Sequence, residues 1–372
     1  MSEDCDFLIV GGGMAGVSCG YELSKFGRTI VLEREAHPGT QTTGNSAALY
    51  VASYGNAVVR ILNLASREFF DAPPPGFTET PLLSPRPSIY AANRETVPLL
   101  TEIAQGAEAW LRPIGQDEML AMVPILRPEA AVAGLYEADT CDIDVDAMLQ
   151  GYARGLKASG SALAVNAEAI AITRTANRWH VETRAGSFTA PVLVNAAGAW
   201  ADEIAKLAGV RPIGLVPKRR SVAVVDPPAI LGFLDWPCVM DANETFYFKP
   251  EGGRLMISPA DETESPPVID VRPEDEDIAL GLERLENATT YVVKGRPKTR
   301  AGLRTFTPDH AQAIGFDAEA PGFFWLAGQG GYGIQSAPAA AQLAAALASH
   351  SAMPDALAHI DCATLSPNRF RS

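Results

Sequence analysis

The amino-acid sequence predicts an α/β protein of two domains, one nucleotide-binding and discontinuous, the other α+β and built on a mainly antiparallel sheet. Three observations lead there. The chain opens with an apolar strand that runs into a glycine turn and a helix. Helical and buried-strand segments recur near its start, middle and end, while the stretches between them read as alternating strands with Pro- and Gly-rich loops. Residues 1–50, 141–211 and 300–372 are therefore expected to form the first domain, and 51–140 with 212–299 the second.

Composition limits the function classes. A chain of 372 residues is long for one domain, and 47% hydrophobic content supports a large core rather than disorder. A net charge of −14 argues against nucleic-acid binding, which relies on clustered Lys and Arg. Cys5, Cys19, Cys141, Cys238 and Cys362 are scattered, which fits neither a disulfide framework nor a metal site and suits a reducing compartment. The N-terminus carries acids where a secretory leader needs basic charge, and no run reaches the ~20 apolar residues of a membrane helix. A cytoplasmic protein without a membrane span or a bound metal is expected.

Each element has its local reason. DFLIV is a short apolar strand, ended by Gly11-Gly12-Gly13. Met14, Val17, Tyr21 and Phe26 approximate helical spacing, Gly27 stops that helix, and TIVLE starts a second strand. A helical stretch is expected around 94–111. In DIDVDAMLQGYARGLKASG, acids at the start and Lys157 near the end match the helix dipole. AEAIAIT and RWHVETRAGSFTAPVLVNAAG give a hairpin leading into a buried strand, and SVAVVD, TFYFKP and RLMIS read as further strands. The chain closes on FFWLAGQGGYGIQSAPAAAQLAAALA, a strand, a glycine turn and an Ala-rich helix.

The opening turn carries chemistry. Gly11, Gly13 and Gly16 fall in a G-x-G-x-x-G pattern between strand and helix, which suits a tight turn, close approach of a pyrophosphate and close helix–strand packing. The helix N-terminus favours an anion, and Glu33, about twenty residues on, can accept hydrogen bonds from ribose hydroxyls. This Rossmann-like pattern indicates FAD or NAD rather than NADP. Two later segments favour FAD. PVLVNAAGAW ends a buried strand at Ala-Ala-Gly198, leaving room beside the backbone, and WLAGQGGYGIQ sets Gly328, Gly330, Gly331 and Gly333 at a second strand-to-helix junction. A helix N-terminus there can stabilise charge on a reduced flavin.

The ordered series TTGNSAALYVASYG, PLLSPRP, DIDVDAMLQGY, VLVNAAGAW, LVPKRRS, TFYFKP, AGLRTF, GFFWLAGQGGYGIQ and LSPNR resembles the D-amino acid oxidase and glycine oxidase superfamily through nearly the whole chain. Within it the likeness is greatest to bacterial D-arginine dehydrogenases. The resemblance implies non-covalent FAD, since no cysteine lies in 291–335, where some relatives attach flavin. It sets cofactor contacts on Gly11, Ala15, Glu33, Arg34, Thr42, Thr43, Ser46, Ala47, Ala48, Leu49, Ala169, Gly330, Gly331, Tyr332, Gly333, Ile334 and Gln335. It sets substrate contacts on Tyr54, Tyr247, Arg304 and the Gly331 carbonyl, with Arg220 nearby.

The residue types suit those roles. A guanidinium grips a carboxylate bidentately, tyrosine hydroxyls donate to it, and a carbonyl accepts from the amine. The implied reaction moves a hydride from Cα of a D-amino acid to flavin N5, giving an imino acid that hydrolyses to a 2-oxo acid and ammonia. The electrons then pass to a quinone, a carrier or O₂. Ser88 stands where the D-arginine enzymes carry an acid, and Leu49 where they carry a histidine, so a neutral or apolar D-amino acid is expected. Alternatives are oxidation of another small amine or acid (sarcosine, glycine or a 2-hydroxy acid), an NAD enzyme without flavin, or a non-catalytic FAD-binding protein.

Overall fold

The computed structural model describes residues 2–371. Its centre is a six-stranded sheet in the order Ala162–Ala164, Thr29–Leu32, Phe7–Val10, Val192–Asn195, Phe323–Ala327, Ala313–Phe316, parallel except for the last pair. Continuous apolar runs such as FLIV and FFWLA fit it because both faces are covered. Ile9, Val31 and Val194 point to one face, against Val17, Met148 and Leu343 of the helices Met14–Leu23, Val145–Ala158 and Ala337–Ser349. Leu8, Ile30 and Leu193 point to the other, against Ile172 and Val181 of a four-stranded sheet and Ala205 of the helix Ala201–Leu207.

The helix Met14–Leu23 ends a turn before the expected stop. Val145–Ala158 is capped by the Asp144 side chain on the Ala147 N–H, with Lys157 in its last turn. Around 94–111 the helix is only Leu99–Ala104, a shorter element than the pattern suggests.

A nine-stranded, mostly antiparallel sheet forms the other half. One face buries Ile89, Val239, Phe248 and Ile257 with Leu285 of the helix Asp275–Ala288. The opposite face presents Tyr90, Met240 and Tyr247 in register across three neighbouring strands. The strand Lys298–Phe306, which begins just before the expected boundary at 300, pairs along this sheet with Val216–Val225. A small three-stranded sheet (Leu49–Tyr50, Cys141–Ile143, Leu83–Pro85) lies where the chain passes between the halves. No helix among the described residues is long and apolar enough to cross a membrane.

Candidate active site

A cavity of about 940 Å³ lies between the carboxyl ends of the central parallel strands and the free face of the large sheet. That is where open α/β sheets bind ligands. Val10, Leu32 and Ala196 at the strand ends contribute to its wall, as do Gly11, Gly13 and Ala15 of the first turn. Gly11 has φ +115°, a conformation that excludes ordinary side chains. Gly16 lies behind the wall, where a Cβ would sit 1.9 Å from the Gly11 carbonyl oxygen, so its role is packing rather than contact. The helix has no acid in its first turn, and although the Met14 N–H donates to Thr43 Oγ1 at 3.1 Å, the helix dipole at this end favours an anion.

Glu33 is buried beside this turn. Its carboxylate accepts from the Gly12 N–H at 3.0 Å and the Glu35 N–H at 2.8 Å. Burial pushes the carboxyl above the ordinary 4.5, while those two N–H groups oppose the rise. A raised folded value means that Glu33 favours the fold most when protonated. Its contribution is full below 4.5 and is lost as pH rises through the raised value. In FAD-free protein, Glu33→Gln is therefore expected to gain stability relative to the parent as pH increases from 4.5, read by denaturant unfolding at stepped pH. A difference between the two that does not change with pH would contradict this.

Glu33, Arg34, Thr42, Thr43, residues 46–49, Ala169, Gly198, Gly330, Gly331, Gly333, Ile334 and Gln335 all line the cavity. Tyr332 does not. Its ring stands edge-on to Tyr54 at 6.1 Å and its hydroxyl donates to the His310 carbonyl, so the glycine turn holds it behind the wall.

The substrate candidates converge. Arg304 donates to the Tyr54 oxygen at 3.2 Å, which leaves the Tyr54 O–H free to donate in turn, and Tyr247 lines the same region. Among the described residues no carboxylate makes an ion-pair contact with Arg304; the Glu262 carboxylate, held by Arg220, acts on it only through space. A Cβ on Gly331 would fall 2.7 Å from Arg304 Nη1 and 2.9 Å from the Tyr54 oxygen, so glycine keeps this corner open. Arg220 also lines the cavity but is engaged, by Glu262 at 2.9 Å and the Asp261 carbonyl at 2.9 Å.

Ser88 is misplaced by the sequence reading. It is fully buried, its hydroxyl lies 3.1 Å from Thr140 Oγ1, and it does not reach the cavity. It shares a strand face with Tyr90, but Thr140 covers it. Its lack of charge therefore says nothing about the substrate, whereas Leu49 does line the site. The sequence reading also missed Tyr90, Met240, Glu244, Phe246, Glu262 and Gln329. Strand alternation marks Tyr90, but only pairing across the sheet reveals its row.

The residues fit a flavin dinucleotide. Buried polar atoms without protein partners occur on four cavity-lining residues: Arg34 Nη2, Thr305 Oγ1, Gln329 Nε2 and Gln335 Nε2. Arg34 stacks on the Trp200 ring at 3.7 Å, a flat surface beside Glu33. No cysteine lines the cavity.

A family model described as FAD dependent oxidoreductase, DAO, matches residues 6–347. The chain belongs to this family. It is a DAO-type member of the FAD-dependent oxidoreductases. Among relatives, human dimethylglycine dehydrogenase is 24% identical, with 72% of this chain and 32% of that protein covered. Human sarcosine dehydrogenase is 24% identical, at 87% and 37%. This chain thus spans about a third of the length of those two proteins. Glycine oxidase from Geobacillus kaustophilus is 24% identical over 93% of both chains. Its crystal structure matches at TM-score 0.84 and 23% identity, covering 99% of each.

Proposed function

We propose that this DAO-family protein dehydrogenates a small amino acid at the carbon between its amine and carboxylate, with glycine-type amines as the favoured class. The observation that carries the reading is the guanidinium of Arg304, which faces the cavity beside Tyr54 without a carboxylate partner. Relatives named for glycine, sarcosine and dimethylglycine favour this class over the D-amino acids first expected.

Arg304 binds the substrate carboxylate through two N–H groups, and the Tyr54 and Tyr247 hydroxyls donate to the same oxygens. The Gly331 carbonyl accepts from the amine, which fixes the reacting carbon between two held groups. Gly11, Gly13, Glu33 and Gln335 hold the cofactor, and bound FAD supplies the acceptor for the two electrons leaving the C–H bond. The Tyr90–Met240–Tyr247 row walls this end of the cavity. The product imine is released and hydrolysed by water.

The test is anaerobic mixing of the FAD-loaded protein with glycine, sarcosine, dimethylglycine, D- and L-amino acids and 2-hydroxy acids while the visible flavin band is followed. Fastest bleaching by a glycine-type amine is expected. Bleaching by D-amino acids alone would restore the first expectation, and bleaching only by 2-hydroxy acids would refute amine oxidation.

A further inference from the structure

Tyr54 belongs to no helix or strand, yet its hydroxyl must meet Arg304. Residues 51–54 cross between the two halves as an irregular segment whose backbone N–H groups are tied down one by one. The Val51 N–H donates to Gln335 Oε1 at 2.7 Å, and the Tyr54 N–H to the Val51 carbonyl at 3.2 Å. The two between them converge on one buried carboxylate. Ala52 N–H and Ser53 N–H donate to Glu137 Oε1 at 2.9 and 3.3 Å, and the Ser53 hydroxyl donates to Glu137 Oε2 at 2.5 Å.

Glu137 is 1% exposed and ends the strand Ala133–Glu137 of the large sheet. Among the described residues no Lys or Arg pairs with it, so these three donors offset its desolvation, and burial still pushes its carboxyl upward. A buried carboxylate without a cation is costly to keep, and an apolar residue would pack there without that cost. Its use is directional. It is the only acceptor among the described residues for the Ala52 and Ser53 N–H groups, and it joins the Tyr54 segment to the sheet that carries Tyr247.

We infer that Glu137 is a positioning residue, which sets the Val51–Tyr54 segment so that the Tyr54 hydroxyl stands at Arg304 for the substrate carboxylate. The inference rests on the carboxylate-clamp reading above. Glu137 acts through Tyr54 and touches neither substrate nor cofactor. Glutamine preserves an oxygen for the two N–H groups and offers its amide N–H to Ser53 Oγ, whereas leucine removes every acceptor.

The test is a double-mutant cycle on FAD-loaded protein, with KM and kcat for the amine that bleaches fastest and the Kd of acetate read from the flavin spectrum. Glu137→Leu is expected to raise KM and the acetate Kd on the order of tenfold or more, with a smaller change in kcat. Glu137→Gln should stay within about threefold of the parent. Tyr54→Phe should raise KM in the parent but add little in the Glu137→Leu background, because the tyrosine is already displaced there. Where Glu137→Leu does not fold, Glu137→Asp, too short to reach both N–H groups and Ser53, completes the same cycle. Fully additive effects, or an unchanged KM in the Leu or Asp variant, would overturn the positioning role while leaving the clamp intact. A Tyr54→Phe change that is silent in the parent would overturn the clamp and the positioning role together.

Discussion

Exchange of Arg304 for Met is expected to lower kcat/KM for the preferred amine by about two to three orders of magnitude, with FAD content unchanged. The guanidinium faces the cavity without a carboxylate in ion-pair contact, so on the proposed reading a substrate carboxylate would pair with it. Methionine fills similar volume but offers no donor, so the bound carboxylate loses both its charge and its fork of N–H groups. The Tyr54 oxygen also loses the N–H that fixes its orientation, so the cost exceeds one hydrogen bond. Arg304→Lys retains charge without the planar fork and should fall between the parent and Met variants. Steady-state kinetics with flavin quantification checks this. Retention of kcat/KM within about tenfold in the Met variant would mean that the carboxylate is held elsewhere. Arg220 is a poor substitute, because Glu262 already pairs its charge and two of its N–H groups are engaged by Glu262 and the Asp261 carbonyl.

Gly16→Ala is expected to yield protein that retains little FAD and is destabilised by about 3 kcal/mol. The added methyl would lie 1.9 Å from the Gly11 oxygen, and both atoms are anchored, one in the first helix and the other in the turn. The helix must move away from the strand end, and with it the helix amino end that would receive the pyrophosphate. Substitution here differs from substitution at Arg304, since it disables the cofactor site while leaving the substrate clamp in place. The ratio of visible to ultraviolet absorbance after purification measures FAD retention, and thermal unfolding of FAD-free protein measures the packing cost. Full flavin content with an unchanged midpoint would show that the helix accommodates the methyl, which the 1.9 Å approach argues against.

The contrast between Gly16 and Ser88 explains which parts of the site can be read from the sequence. Gly11, Gly16 and Glu33 act within one strand–turn–helix–strand unit, so their spacing encodes the close approach and the carboxylate beside the turn. The opening glycine turn was legible for that reason, as were the second glycine turn and the capped helix at Asp144. The substrate half was legible as residue types but not as an arrangement. Ser88 and Tyr90 share a strand and a face, yet one is covered by Thr140 and the other lines the cavity. Tyr332 sits among cavity-lining neighbours and is turned away by its bond to the His310 carbonyl.

By itself, the sequence determined an α/β chain with a glycine-turn dinucleotide site, because those features arise from hydrophobic periodicity and backbone sterics over short spans. Only the tertiary structure decided that Tyr90, Met240 and Tyr247 form one row, that Arg304 meets Tyr54 without a carboxylate, and that Glu137 carries the Tyr54 segment. Each depends on register between strands distant in sequence and on the direction in which a buried polar group finds its partner. Neither quantity is written in the spacing of residues along the chain.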